Sequence, residues 1–177
     1  MYNTPVRFDE NEWVVLVSAL VLLIVFIRLP KIFPPILMAI IWLFFSYLGS
    51  TTDQLLGTGY WLDLYDTMDT NIYDWYDILI YTLSYPLYGY LYCHFYKAIK
   101  GFHPRYLKLY IFGWSALTTL LEWFSALLGV FTYKGWHPYY SFPFYLLLFT
   151  SIPFFLLRLE RWWQREKQLQ KNVIKRS

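Results

Sequence analysis

The sequence predicts an all-α fold, a polytopic bundle of about five transmembrane helices, and three observations support this prediction. The 177 residues are 58% hydrophobic and only 15% charged, which is more apolar than a soluble domain of this length usually is. Aromatic residues make up 24% of the chain, and Tyr and Trp rings collect at membrane interfaces and between packed helices. Several apolar runs also have the length needed to cross a hydrocarbon core of about 30 Å. We therefore expect residues 1–177 to form a single integral membrane domain.

Five apolar runs are candidates for the spans. They cover residues 13–29, 34–49, 76–98, 107–130 and 139–157. The second begins at a proline pair, which suits a first helical turn because the missing N–H has no partner there. An acidic, aromatic outer loop follows at 50–75, and its later part is expected to form a short interfacial helix. The basic tail at 158–177 is expected to leave the membrane as a helix whose cations face anionic lipid.

The basic residues predict the orientation of the spans, because loops on the cytoplasmic side carry an excess of Lys and Arg. With five spans, all of the 15 basic residues except Arg7 and Lys134 fall on one side of the membrane, whereas four spans would scatter them. We therefore expect the N-terminus outside, the C-terminus in the cytoplasm, and Lys134 beside the acidic outer loop. The residues before the first run, FDENE, are acidic rather than basic, so a cleaved leader is not expected.

Glu122 is an acidic residue inside the fourth span. At 100° per residue it shares a stripe with small and hydroxylated residues, which let helices approach closely in a membrane. A carboxyl group that faced lipid would cost several kcal/mol. Glu122 is therefore expected to point into the bundle and to be paired, hydrogen-bonded or protonated there.

The third span offers hydrogen-bond partners for Glu122. Its acidic and hydroxyl-bearing residues recur at helical spacing and so share one face; they are Asp77, Tyr81, Tyr85, Tyr88, Tyr92 and Tyr96. Buried Tyr O–H groups need acceptors, and a carboxylate supplies several lone pairs. Two interpretations stay open. The stripe is either a packing seam that sets helix register, or part of a proton or ligand site with Glu122.

The turn after the fourth span, TYKGWHPYYSF, is a second candidate site. Its candidate residues are Trp136, His137, Tyr139 and Tyr140, which are expected at the outer membrane interface. The three histidines are dispersed over both faces of the bundle, and Cys93 is the single cysteine, so no metal site and no cofactor are expected. The sequence also lacks motifs for nucleotide binding or hydrolysis.

The stretch LEWFSALLGVFTYKGWHPYYSFPFYLL resembles a family of small, uncharacterised multi-pass membrane proteins from endospore-forming Firmicutes of the Bacillus and Clostridium type. The resemblance rests on Glu122, Trp123, Tyr133, Gly135, Trp136, Tyr139, Tyr140 and Ser141. It implies a bacterial cytoplasmic membrane and brings no established activity. A more distant similarity is to membrane-embedded lycopene cyclases, which also set an acidic residue ahead of a glycine-and-tryptophan turn. This chain lacks their second acidic cluster after that turn.

These observations favour a non-enzymatic interaction or structural membrane protein. Its partners would be the lipid bilayer, other membrane proteins or a second copy of the chain, and no nucleic acid. One alternative is a small transporter or lipid-handling protein that uses Glu122 and the tyrosine stripe; without an internal repeat, it would need to be a homo-oligomer. Another is a membrane-embedded enzyme of isoprenoid type. That enzyme would need Asp77 or His137 within hydrogen-bond reach of Glu122.

Overall fold

The computed structural model describes residues 8–57, 62–68, 74–101 and 103–175, and these are mostly helical. In chain order the elements are α1 Glu10–Arg28, α2 Pro35–Leu56, β1 Tyr65–Thr67, α3 Trp75–Leu79, α4 Tyr85–Ile99, α5 Pro104–Leu127, β2 Phe131–Tyr133 and α6 Pro138–Ile174. A π-helical segment, Ile80–Ser84, joins α3 to α4. The third predicted span is therefore one continuous helix.

Prolines and capping carboxylates determine where the helices begin. Pro35, Pro104 and Pro138 occupy the first positions of α2, α5 and α6, where the missing N–H removes no helical hydrogen bond. Helices α1 and α3 begin with capping boxes instead, built on Asp9 and Asp74. These signals are local, so the helix starts lie close to their predicted positions.

Three helices in the described part of the chain are long and apolar enough to cross a membrane. They are α1, α2 and α6, the last counted over Pro138–Val173. Helices α4 and α5 occupy the positions predicted for the third and fourth spans, but α4 by itself has only 15 residues, and polar and basic residues lower the mean hydropathy of α5. For α1, α2 and α6, the predicted length and apolar character of a membrane span are confirmed.

Large apolar side chains point outward from the bundle, while several acidic ones are buried. On α1, Val17, Leu20 and Val21 are each more than half exposed, whereas Glu12 at the start of the same helix is completely buried. Large contiguous apolar surfaces mark contacts with lipid or with other proteins. This distribution is typical of a bundle that is surrounded by lipid.

Helices α2 and α4 pack closely because a glycine lies on each of them. A Cβ atom added at Gly49 would lie 2.0 Å from Cδ2 of Tyr85, and one added at Gly89 would lie 2.2 Å from Cγ of Phe45. The aromatic rings therefore occupy the space that a side chain at either glycine would need. Small residues of this kind bring the backbones of membrane helices together.

A two-stranded antiparallel sheet, β1 with β2, is an element that the all-α prediction did not include. Tyr65 lies opposite Tyr133, and the carbonyl of Leu64 accepts hydrogen bonds from the backbone N–H groups of residues 134–136 at 2.9–3.0 Å. β1 occupies part of the segment predicted as an interfacial helix, so that prediction is wrong for Tyr65–Thr67. The pairing involves strands distant in sequence, which helical periodicity does not indicate.

Two helices extend beyond the ends predicted for the apolar spans. Helix α2 continues past residue 49 to Leu56, which moves Asp53 from the predicted outer loop into the last turns of the helix. Helix α6 contains both the fifth predicted span and most of the basic tail, and it remains helical through Pro143 and Pro153. An apolar run shows where lipid contact ends, but a helix can continue beyond it because its backbone N–H and C=O groups pair within the helix.

Candidate functional site

A cavity of about 140 Å³ lies between α2, α4, α5, α6 and the small sheet. Two carboxyl groups and several tyrosines face it, among them Asp53, Tyr65, Tyr85, Glu122, Tyr133 and Tyr145. Leucine and phenylalanine side chains form much of the remaining wall. No lysine, arginine or histidine is among the described residues that line the cavity. We call this space the acidic cavity.

Glu122 accepts three hydrogen bonds from hydroxyl groups. Tyr133 donates to Oε1 at 2.9 Å, Ser141 donates to the same oxygen at 2.6 Å, and Tyr145 donates to Oε2 at 2.5 Å. The indole Nε1–H of Trp136 in turn donates to Oγ of Ser141 at 2.8 Å. The carboxyl group is therefore held by neutral donors from β2 and α6, and it points into the bundle as its sequence context predicts.

Asp53 is the second carboxyl group of the acidic cavity. Tyr65 on β1 donates to Oδ1 at 2.6 Å, and Tyr85 on α4 donates to Oδ2 at 3.2 Å. The side chain is buried near the end of α2, so the expectation that Asp53 belongs to the outer loop is corrected. The cause is tertiary, because β1 folds over the end of α2 and brings a hydroxyl group to the carboxylate.

Part of the predicted tyrosine stripe reaches the acidic cavity. Tyr85 and Tyr88 line it together with Glu122. Their hydroxyl groups, however, bind other partners: Tyr85 donates to Asp53, and Tyr88 shares a hydrogen bond of 2.7 Å with Thr118 on α5. The stripe therefore contributes to the wall of the cavity, while the hydroxyl groups that donate to Glu122 come from β2 and α6.

The other candidate residues of the stripe do not line the acidic cavity. Tyr92 is fully buried and donates to the backbone carbonyl of Phe149 at 2.7 Å, which ties α4 to α6. Tyr81 is buried in a smaller core cluster. Asp77 belongs to the capping box of α3, where its Oδ2 accepts the N–H of Asp74 at 2.9 Å. Tyr92 therefore ties α4 to α6 and Asp77 caps the start of α3, while Tyr81 interacts with Asp53 from its place in the core.

The predicted outer-turn site is divided in the structure. Trp136 lines the acidic cavity and donates a hydrogen bond to Ser141, whereas His137, Tyr139 and Tyr140 are exposed. The rings of His137 and Tyr139 are stacked with centroids 5.1 Å apart. Exposed rings of this type suit a membrane interface, so only the tryptophan of this group belongs to the cavity.

Sequence reasoning missed Tyr65 and Tyr145 as cavity residues. Tyr145 lies one helical turn after Ser141, so this i, i+4 spacing was a usable signal that both hydroxyl groups share a face of α6. Tyr65 had no such signal. It reaches Asp53 through the pairing of β1 with β2, which joins segments that are far apart in the chain.

Ion pairs between Lys134 and the acidic outer loop hold the sheet that covers the acidic cavity. Nζ of Lys134 lies 2.8 Å from Asp63 and 3.0 Å from Asp66, which confirms the predicted pairing with the acidic outer loop. These hydrogen bonds raise the pKa of Lys134. On the inner side, burial and a neighbouring carboxylate raise the pKa of Tyr65 and of Tyr133, so both remain neutral donors.

The acidic cavity combines negative groups, hydroxyl groups and aromatic faces. Carboxylates attract cations, and tyrosine rings bind ammonium groups over their faces. Among the residues that the structure describes, no group of three or more His, Cys, Asp or Glu side chains could hold a metal ion. No protein-family model, curated protein or solved structure matches this chain.

Proposed function

We propose that the chain is a multi-pass protein of the bacterial cytoplasmic membrane that binds a small organic cation of the amine class in the acidic cavity, in a transport or lipid-handling role. One observation carries the proposal. Asp53 and Glu122, which lie on different helices, face one space, and no basic side chain is among the described residues that line it. A bound ammonium group would supply the positive charge that the protein does not place there.

The walls and size of the acidic cavity support a small ligand. Rings of Tyr85, Tyr88 and Tyr145 border it, and aromatic faces attract a desolvated cation by up to about 2 kcal/mol. Its volume of about 140 Å³ resembles that of a cavity known to hold benzene and is smaller than a pocket for a drug-sized molecule. Tetramethylammonium and choline are therefore suitable probes.

The proposed membrane arrangement has five spans, with the N-terminus outside. Helix α5 has 24 residues and is about 36 Å long, which exceeds the roughly 30 Å of a hydrocarbon core. The continuous helix that contains α4 is of similar length. The distribution of lysine and arginine supports the orientation. With these five spans the acidic cavity lies toward the outer end of the bundle.

The proposed relationship to the membrane protein family of endospore-forming Firmicutes rests on the same site. Four of the residues that carry the resemblance, Glu122, Tyr133, Trp136 and Ser141, form one hydrogen-bonded unit. A sequence pattern that coincides with a buried network is more informative than hydropathy alone. It supports a bacterial cytoplasmic membrane as the location.

A non-enzymatic structural or interaction role is the second candidate. Both oxygens of Glu122 and both of Asp53 already accept hydroxyl hydrogen bonds. A fully bonded network of this kind can fix the register of the helices without any ligand. The enzymatic alternative has less support, because Asp77 and His137 are not among the described residues that line the acidic cavity.

Thermal stability of the purified protein in a neutral detergent tests the proposal. Choline is compared with 3,3-dimethyl-1-butanol, which has the same shape without the charge. We expect choline to raise the Tm of the wild type and the neutral analogue to leave it unchanged. Glu122→Gln and Asp53→Asn should each weaken choline binding by about tenfold, since each removes one charge from a water-poor site.

The control for these variants is Glu10→Gln, which removes an exposed carboxylate at the start of α1. It should bind choline as the wild type does. If choline and its neutral analogue act equally, or if both cavity variants retain wild-type binding of choline, the cation proposal is wrong. The structural candidate then accounts for the network.

A further inference from the structure

A larger groove of about 680 Å³ lies at the end of the bundle opposite the acidic cavity, between the start of α2, the end of α4 and the later part of α6. Five basic side chains line it: Lys97, Lys100, Arg161, Arg165 and Lys167. Glu160 is the one acidic residue among the described residues of its lining. We call it the basic groove.

The basic groove keeps an excess of positive charge after its internal ion pairs are counted. Glu160 lies 2.6 Å from Nζ of Lys100 and 3.4 Å from Nζ of Lys97, so one carboxylate is shared by two lysines. Arg161 and Arg165 lie one helical turn apart on α6 and face the same side. Their guanidinium groups suit bidentate contact with phosphate oxygens.

Part of the lining of the basic groove is apolar. Ile32, Leu37 and Leu157 belong to this part, and Trp163 also borders the groove. Nζ of Lys167 lies 5.3 Å from the centroid of the Trp163 ring. Tryptophan in such a position is typical of the headgroup level of a membrane. Along α6, the lining of the groove therefore changes from aliphatic at Leu157 to cationic at Arg161 and Arg165.

We propose that the basic groove binds an anionic phospholipid, with its phosphate held by the arginines of α6 and an acyl chain along the aliphatic side. The charge complements a phosphate headgroup with a net negative charge, and a free phosphate ion would leave the aliphatic side without a partner. This site is separate from the acidic cavity. The ligand of the basic groove is an anion, whereas the ligand proposed for the acidic cavity is a cation.

Lipid binding to the full chain in neutral detergent tests the proposal. The probes are dioctanoyl phosphatidylglycerol, dioctanoyl phosphatidylcholine and sodium phosphate at matched ionic strength, and the readout is native mass spectrometry with a fluorescence titration. We expect phosphatidylglycerol to bind about tenfold more tightly than phosphatidylcholine. The double variant Arg161→Gln/Arg165→Gln should lose about tenfold in affinity for phosphatidylglycerol.

The matched control is Arg158→Gln/Lys171→Gln, which removes two exposed cations from the same helix outside the basic groove. It should change the affinity by no more than about twofold. Lys167→Gln provides a milder test within the groove and should weaken binding about threefold. All substituted side chains are exposed, and an unchanged Tm without lipid verifies folding.

Three results would overturn the lipid site. The first is an equal loss in the groove variant and the control, which would show diffuse attraction to the helix. The second is equal affinity for phosphatidylglycerol and phosphatidylcholine. The third is competition by sodium phosphate at the same concentration as phosphatidylglycerol, which would show a free anion site.

Discussion

The hydroxyl group of Ser141 on α6 donates a hydrogen bond to Oε1 of Glu122 on α5 at 2.6 Å, and its Oγ accepts a hydrogen bond from the indole N–H of Trp136 at 2.8 Å. An indole N–H can only donate, so the two hydrogen bonds run in one direction, from Trp136 through Ser141 to Glu122. One small hydroxyl thus links the outer turn to the carboxyl group of the acidic cavity.

Replacing Ser141 by alanine should lower the free energy of unfolding by about 1–3 kcal/mol, because it leaves the partly buried indole N–H of Trp136 without its acceptor and Glu122 with one donor fewer. Equilibrium unfolding in detergent measures this. Ser151→Ala is the control, since Ser151 is exposed and donates to the carbonyl of Leu148 in its own helix. Equal effects of the two substitutions would contradict a special role for Ser141.

Glu122→Gln should cost less stability than Glu122→Ala. The glutamine carbonyl can still accept from Tyr133 and Ser141, whereas its NH₂ group cannot accept from Tyr145; alanine removes all three acceptor contacts. We expect the free energy of unfolding to fall by about 1–2 kcal/mol in Glu122→Gln and by at least about 3 kcal/mol in Glu122→Ala. In a Tyr145→Phe background the cost of Glu122→Gln should become smaller, and a double-mutant cycle measures the difference. Strict additivity would argue against the assigned bond.

Alanine at Gly49 or Gly89 should destabilise the protein by several kcal/mol, since the new Cβ would overlap the ring of Tyr85 or Phe45. Gly113→Ala is the matched control in α5, because nothing lies within 4 Å of its added Cβ. There alanine should stabilise the helix by about 0.5–1 kcal/mol. Thermal unfolding of the three variants measures this contrast, and similar Tm values would contradict the close approach of α2 and α4.

The protein should lose stability above about pH 10, the ordinary pKa of tyrosine. Burial, together with Asp53 or Glu122, raises the pKa of Tyr65 and Tyr133 in the folded state. Above pH 10 the unfolded chain releases these protons while the folded state retains them. The stabilisation is therefore complete below pH 10 and decreases as pH rises.

The measurement for this effect is Tm between pH 9 and 11. Tyr133→Phe should show a smaller decline than the wild type, because it removes one of the tyrosines whose proton the fold retains. Tyr47→Phe is the control, since Tyr47 is 73% exposed. A decline of unchanged slope in Tyr133→Phe would exclude Tyr133 as a contributor.

The proposed orientation predicts a specific labelling pattern. In a Cys93→Ser background, a membrane-impermeant maleimide should label Leu62→Cys in intact cells and Lys171→Cys only after the membrane is opened. Both native side chains are exposed, so access should depend on the side of the membrane. Labelling of residue 171 in intact cells would reverse the orientation.

Much of the secondary structure could be predicted from local signals. Apolar runs and prolines indicated the positions of the long helices, because lipid contact and helix starts depend on neighbouring residues. The inward direction of Glu122 also followed from its surroundings, since exposure to lipid would be costly. The length of α2 could not be predicted in this way. Its last turns carry Asp53, whose carboxyl group is accommodated inside the bundle because Tyr65 and Tyr85 donate hydrogen bonds to it.

The sequence by itself determined that the chain contains apolar helices and a carboxyl group that must be shielded from lipid. The tertiary structure alone decided which hydroxyl groups shield it, and that Asp53 shares its cavity. Tyr133, Ser141 and Tyr145 converge on Glu122 from a strand and from a helix. Hydrogen bonds require their donors within about 3 Å, and that spacing is set by how the elements pack.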